Sequence, residues 1–202
     1  MSNSTERQTM TMRGLTSLLL AVGAWALWPG VAQAQFTNGY PFTPQTRLEA
    51  FETNTGIVVL KATAQIGVIT ANTGALAVRC RQITDTSTGR SEYGLSLVLG
   101  EGSQFEDALL LDYEEIDSLA SAIDYFGNLD WSVTSLNGFE AIYTSKGGFR
   151  MEAFSSRRSG AIEFSARSLR SPRPPIVLFR DQLAQFRQFL TQAKTKLDSL
   201  RK

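Results

Sequence analysis

Five arginines in the last third of the chain are the side chains best suited to hold a ligand. A guanidinium group binds phosphate, sulfate or carboxylate through two parallel hydrogen bonds. Prolines at positions 172, 174 and 175 stiffen the segment that carries the last three arginines, so fixing these side chains costs little entropy. The pattern predicts an anion-binding face, and a solvated surface is the alternative interpretation. The predicted ligand-binding residues are Arg157, Arg158, Arg167, Arg170 and Arg173.

Four acidic residues lie close together in the middle of the chain, namely Asp112, Glu114, Glu115 and Asp117. Paired carboxylates can serve in acid–base catalysis or bind calcium. These four stand at the start of a predicted helix, where carboxylates accept exposed backbone N–H groups and interact favourably with the helix dipole. We interpret them as capping residues and predict no metal site.

Histidine is absent, which excludes Ser-His-Asp and Cys-His nucleophilic sites as well as histidine-ligated zinc. Ser145 and Lys146 are poorly placed for a Ser-Lys dyad, because adjacent residues at a strand end point to opposite faces of the sheet. Cys80, the only cysteine, shares a strand face with Val78, so we expect a buried, unreactive thiol rather than a bridge between two chains. The sequence favours a protein without catalytic residues or cofactors.

The two halves of the chain carry opposite charge. Residues 35–131 contain 5 basic and 13 acidic side chains, whereas residues 132–202 contain 13 basic and 5 acidic ones. Such a split can draw the halves together, organise a head-to-tail assembly, or present a basic face to an anionic partner.

The first 34 residues have the features of a secretory signal peptide. Arg13 precedes an apolar run from Gly14 to Trp28, and the small residues Ala32 and Ala34 stand where a signal peptidase would cleave. The run is shorter than the roughly 18 residues that a membrane-spanning helix requires. We expect a bacterial periplasmic or secreted protein without a stable membrane span.

Alternating apolar residues and turn signals predict two series of antiparallel strands. The first begins with a strand at residues 48–52, and Asn-Thr-Gly turns at 54–56 and 72–74 close short hairpins. The second begins with a strand at residues 131–133, and residues 149–154 form its clearest alternating strand. Each series ends in a short apolar strand that leads into a helix.

The two helices are predicted over about residues 113–126 and 181–200. The second helix has apolar residues at alternating spacings of three and four, from Leu183 to Leu200. This seam is too short for a firm prediction of a coiled coil, so we expect it to dock on the protein's own sheet. The alternative is a homo-oligomer that forms through this helix.

Shifting the sequence against itself by 67 positions places apolar residues of the two halves on each other, for example Leu119 on Phe186 and Ile123 on Leu190. We therefore predict a single α+β domain over residues 47–202, preceded by an arm at 35–46. Its halves, 47–130 and 131–202, each form an antiparallel meander followed by one helix around a common core. The predicted core residues are Leu60, Val78, Leu97, Leu110, Ile116, Leu119, Ile123, Phe164, Val177, Leu183, Phe186 and Leu190.

Two meander-and-helix units in one chain resemble the duplicated plan of the Whirly-type and PUR-type families of single-stranded nucleic-acid binders. The sequence favours a non-catalytic binding or assembly module, with a protein of the cell envelope as its partner. The alternative is a binder of phosphate- or sulfate-bearing polymers, nucleic acid included, through the basic second half. A histidine-free hydrolase is a third hypothesis.

The signal-peptide assignment predicts that the mature protein begins at Gln35. N-terminal sequencing or the intact mass of the exported protein should show loss of the first 34 residues. A membrane-bound form that retains Leu18 to Leu20 would identify the apolar run as an anchor instead.

Overall fold

A computed structural model describes residues 43–156 and 160–201 of the chain. The predicted signal peptide, the predicted arm as far as residue 42, and Arg157 and Arg158 lie outside these residues.

The first half forms a four-stranded antiparallel sheet in which each strand pairs with the next along the chain. The predicted Asn-Thr-Gly turn joins the first two strands, and Gly74 has the positive φ of 147° that favours glycine. The register pairs Val78 with Leu97, so the apolar faces of neighbouring strands coincide. The strands are β1 (Val59–Ala71), β2 (Gly74–Asp85), β3 (Ser91–Leu99) and β4 (Asp107–Asp112).

The second half repeats this arrangement with shorter strands, again in chain order. Prolines 172, 174 and 175 keep the connection before the last strand out of the ladder, and that strand is only three residues long. The strands are β5 (Glu140–Thr144), β6 (Phe149–Ser155), β7 (Ile162–Ser168) and β8 (Ile176–Leu178).

Three α-helices accompany the sheets in the described part of the chain, namely α1 (Arg47–Glu52), α2 (Ile116–Gly127) and α3 (Arg180–Leu200). A 3-10 turn, Tyr113–Glu115, leads into α2. Both predicted helices are therefore confirmed to within a residue or two.

Helix α3 follows the second sheet but packs on β1, β2 and β3 of the first sheet and on α2. Its heptad positions from Leu183 to Leu197 are buried inside the chain, as predicted for docking on the protein's own sheet. Phe149 of β6 meets Phe186 of α3 edge to face, with ring centroids 6.1 Å apart. Residues of both sheets and both long helices thus share one core, which confirms the predicted α+β fold.

Helix α1 corrects the prediction of a strand at residues 48–52. Thr46 caps this helix, since its hydroxyl accepts the N–H of Glu49 at 3.1 Å while the Glu49 carboxylate accepts the N–H of Thr46. The apolar side chains of Leu48 and Phe51, three residues apart, then face the same side and pack on the outer face of the first sheet. A six-residue segment contains too few turns for its helical periodicity to be distinguished from alternation. The predicted strand at 131–133 is likewise a 3-10 turn.

Ten of the twelve predicted core residues are buried, and Leu60 and Val177 are not. Leu60 lies near the open end of the edge strand β1 and is 59% exposed. Val177 points outward from β8, while its neighbours Ile176 and Leu178 point into the core. An uninterrupted apolar strand does not indicate which of its faces is inside, so the prediction at Val177 was wrong by one residue.

Two buried carboxylates at the end of β4 accept backbone N–H groups from other segments, and one of them, Glu115, joins the two halves. Glu115 Oε2 accepts the N–H of Asp112 at 3.2 Å, which is the predicted capping contact, and Oε1 accepts the N–H of Lys146 at 2.8 Å in the β5–β6 turn. The Asp112 carboxylate accepts the N–H groups of Arg47 and Leu48 at 3.0 and 3.2 Å in the first turn of α1. Asp112 and Glu115 therefore satisfy backbone donors, as expected for caps, although the carboxylate of Asp112 serves α1 rather than the helix that follows it. The other two acidic residues of the cluster, Glu114 and Asp117, form ion pairs instead.

We expect the substitution Glu115→Ala to lower the free energy of unfolding by about 2–4 kcal/mol, because it removes the acceptor of two backbone N–H groups. Chemical denaturation measures this loss. Glu114→Ala is the matched control, since Glu114 is exposed and forms an ion pair with the exposed Arg47, a contact worth about 0–1 kcal/mol. Equal losses in the two variants would show that the carboxylate of Glu115 has no special role.

Candidate functional site

A charged cleft of about 590 Å³ lies on the outer face of the first sheet, beside α1. The strand register builds it, because Gln65 of β1, Arg79 of β2 and Ser96 of β3 stand in one row across the sheet. Thr63 and Arg81 form the next row. Side chains of α1 and of the segment after β7 complete the lining, namely Glu49, Glu52 and Arg170.

Ion pairs hold the arginines of the cleft in place. Arg81 Nη2 donates to Glu52 Oε1 at 2.9 Å and its Nη1 donates to Thr63 Oγ1 at 2.6 Å. Arg79 Nη2 lies 2.5 Å from both oxygens of Glu101. The Nε of Arg81 is buried and has no hydrogen-bond acceptor among the described residues.

Arg170 is the one predicted anion-binding residue that the structure places in this cleft. Its guanidinium pairs with Glu49, which is 4% exposed. Burial raises the pKa of the Glu49 carboxyl, but hydrogen bonds from Arg170, Gln45 and Thr46 outweigh that effect, and the pKa lies below its ordinary value of 4.5. This pair joins α1 to the segment after β7 and so links the two halves of the chain.

The other predicted arginines do not gather around Arg170. Arg167 pairs with Glu152 on the outer face of the second sheet, with Nη2–Oε1 at 2.9 Å. Arg173 lies over the ring of Phe105, 5.5 Å from its centroid, and lines a different pocket. Arg157 and Arg158 lie outside the described residues. The three predicted arginines that the structure describes, Arg167, Arg170 and Arg173, therefore lie in three different environments.

Sequence reasoning missed Arg79 and Arg81, which contribute two of the three guanidinium groups in the cleft. The signal was present, since both alternate with the buried Val78 and Cys80 and must therefore share the opposite face of the strand. What the sequence lacked was any indication that α1 would cover only part of that face.

The remaining candidates for chemistry have structural roles. Cys80 is buried, as predicted, and desolvation raises the pKa of its thiol to about 11. Ser145 Oγ accepts the N–H of Phe149 at 3.1 Å in the predicted hairpin turn. Asp117 and Glu114 form exposed ion pairs with Lys194 and Arg47.

Within residues 43–156 and 160–201, no three or more acidic, cysteine or histidine side chains come together where they could hold a metal ion. None of the helices in these residues combines the length and the apolar character needed to span a bilayer.

Comparison with known proteins provides no family assignment, because the sequence matches no family profile and no curated protein.

The environments of Arg170 and Arg173 predict different effects of their removal on stability. Arg170→Ser should lower the free energy of unfolding at neutral pH by about 1–3 kcal/mol, because it leaves the buried Glu49 carboxylate without its cation. Arg173→Ser, which breaks no ion pair among the described residues, should have little effect. Thermal unfolding of the two variants beside the wild type measures both.

The deficit of Arg170→Ser should also depend on pH. A lowered pKa means that ionised Glu49 stabilises the fold above its ordinary value of 4.5 and loses that contribution as the pH falls through the folded value. The difference from the wild type should therefore be full at neutral pH and shrink in acid. A deficit that stays constant down to acid pH would contradict the assigned role of the pair.

Proposed function

We propose that this chain is a non-catalytic binding module that takes a small oxyanion-bearing ligand in the charged cleft. The expected signal peptide places its action in the periplasm or outside the cell. Phosphate and carboxylate are the groups that fit the chemistry of the lining, since guanidinium groups bind both through paired hydrogen bonds.

The observation that carries the proposal is Arg81, which lines the cleft and whose buried Nε has no acceptor among the described residues. A buried donor without a partner costs about 1–3 kcal/mol, and native proteins rarely leave one unsatisfied. An oxygen of a bound anion would satisfy it once a small shift of the Arg81 side chain exposes Nε to the cleft. The other two donor nitrogens of Arg81 already hold Thr63 and Glu52, so the guanidinium is oriented before a ligand arrives.

The charge around the cleft also favours an anion. The carboxylates of Glu49, Glu52 and Glu101 neutralise three positive charges, whereas the cations paired with them number four. These cations are Lys61, Arg79, Arg81 and Arg170. One excess positive charge in a partly enclosed cleft attracts a single anionic group more strongly than the same charge in open water.

The ionisation of Glu49 supports a binding role rather than catalysis. A general acid or base works best with a pKa near the operating pH. The pKa of Glu49 is lowered instead, so this carboxyl stays ionised at neutral pH and acts as a fixed charge.

Titration of the exported protein with inorganic phosphate, followed by NMR, tests the proposal. We expect shifts of the backbone signals of Arg79, Arg81 and Ser96, and a loss of affinity of about tenfold in Arg81→Gln, equivalent to about 1.4 kcal/mol. Arg81→Lys should lose affinity almost as strongly, because it keeps the charge but lacks the Nε donor.

Arg90→Gln is the matched control, since Arg90 is exposed at the start of β3 and pairs with Glu92 away from the cleft. It should bind phosphate like the wild type. Binding that is equal in the wild type and Arg81→Lys, or weakened equally by Arg90→Gln, would overturn the proposal.

A further inference from the structure

A second pocket, of about 360 Å³, lies at one end of the first sheet. The β1–β2 turn and the β3–β4 loop form two of its sides. The segment before β8 closes its third side. Its walls are largely apolar, and Leu99, Phe105, Pro174 and Ile176 contribute most of them. Phe105 is 69% exposed, which is high for a large aromatic residue beside a pocket.

Arg173 is the charged side chain of this pocket, and it has no carboxylate within 4.0 Å in the described part of the chain. Its guanidinium lies over the Phe105 ring, and Nη1 lies near Gly100, where an added Cβ would come within 2.7 Å of it. Of the nearby carboxylates, Asp107, opposite Leu99 in β4, has one buried oxygen without a hydrogen-bond partner among the described residues, and it forms no ion pair with Arg173. The other two have partners of their own. Glu101 pairs with Arg79, and Glu106 accepts the N–H of Gly102 at 2.9 Å.

Hydroxyl groups add donors around the same space. Ser103 Oγ accepts the N–H of Phe105 at 3.3 Å, and Thr73 Oγ1 accepts the N–H of Val177 at 2.8 Å. Each hydroxyl accepts a backbone hydrogen bond, so its own proton remains available for a ligand. Both residues line the pocket, together with Ser168.

We propose that this pocket binds a small amphipathic carboxylate, an anion with a short unbranched apolar chain. The carboxylate would accept hydrogen bonds from Arg173 and Ser103, and the chain would cover Phe105, Leu99 and Ile176. An arginine without a counter-ion in apolar surroundings favours an anion with an apolar body over a fully hydrated one, because the body displaces water from the walls. The volume is at the lower end of the range for small-molecule sites, which limits the ligand to a short chain.

This site is distinct from the charged cleft, and neither proposal depends on the other. The cleft holds its guanidinium groups in ion pairs and is lined mainly by polar side chains. The second pocket is largely apolar, and its one cation, Arg173, forms no ion pair with any residue that the structure describes. Arg81→Gln should therefore leave binding in the second pocket unchanged.

Two glycines in the β3–β4 loop provide a matched pair of variants. Gly100 and Gly102 have nearly the same positive φ, 77° and 79°, so replacement by alanine strains the backbone equally. A Cβ on Gly100 would lie 2.7 Å from Arg173 Nη1 and 3.1 Å from Ser103 Oγ, whereas a Cβ on Gly102 meets nothing within 4 Å. Gly100→Ala should therefore block the pocket, and Gly102→Ala should not.

The experiment is an NMR titration with sodium hexanoate, with acetate and hexanol as comparison probes. We expect hexanoate to bind at least tenfold more tightly than acetate, which lacks the chain, and than hexanol, which lacks the charge. Arg173→Gln should reduce hexanoate affinity to that of hexanol. Gly100→Ala should weaken hexanoate binding at least tenfold relative to Gly102→Ala.

Several results would overturn the proposal. These are equal binding of hexanoate and acetate, hexanoate binding that survives Arg173→Gln, or equal effects of the two glycine variants. If Gly100→Ala fails to fold, Arg173→Gln still decides the question, because its side chain forms no ion pair in the described residues. Lys196→Gln, which removes an exposed charge on α3 that forms no ion pair within the described residues, controls for a general effect of net charge.

Discussion

The fold depends on three buried carboxylates that accept backbone N–H groups where the two halves meet. Asp112, Glu115 and Glu49 are 2%, 8% and 4% exposed, and each accepts at least two hydrogen bonds. Burial of a carboxylate is costly unless such donors surround it, and a carboxylate with the donors in place gains some of the strongest hydrogen bonds available. The three together fix α1, the end of β4 and the β5–β6 turn relative to one another. Gly147 allows the β5–β6 turn to lie close against β4, because a Cβ at this position would lie 2.0 Å from the carbonyl oxygen of Leu110.

Helix α1 is the feature that makes the two otherwise similar halves differ. The 67-residue shift relates Leu110 to Val177, and both side chains point away from the main core. Leu110 is nevertheless buried, because α1 covers it with Leu48 and Phe51. No helix in the described residues covers Val177, which stays half-buried. The same helix covers only part of the outer face of the first sheet, and the uncovered part becomes the wall of the charged cleft.

Some of the opposite charges of the two halves form ion pairs with each other inside the chain. In the described residues, three ion pairs cross from one half to the other, between Arg170 and Glu49, Arg187 and Asp124, and Lys194 and Asp117. Two of them join α3 to α2, at the surface, where such pairs contribute little to stability. The apolar seam of α3, which is buried from Leu183 to Leu197, contributes more to the docking of this helix. Charge pairing also distinguishes the cleft from the second pocket. The arginines of the cleft form ion pairs, whereas Arg173 in the pocket has no counter-ion among the described residues.

The sequence by itself determined the elements whose physics is local. Alternation and turn residues predicted most strands, and the Asp112 cap with its apolar spacing predicted α2 nearly to the residue. The buried state of Cys80 and the structural role of the acidic cluster followed from the same local patterns.

Only the tertiary structure decided the features that depend on distant partners. Arg170 pairs with Glu49 across 121 positions of sequence, and no local pattern specifies that pairing. The helical state of α1 likewise depends on a distant residue, because Asp112 caps its six residues together with Thr46. Which face of the apolar strand β8 points outward also depends on what packs against it. Local sequence sets the period of a segment, whereas burial and charge pairing depend on what the rest of the chain places against it.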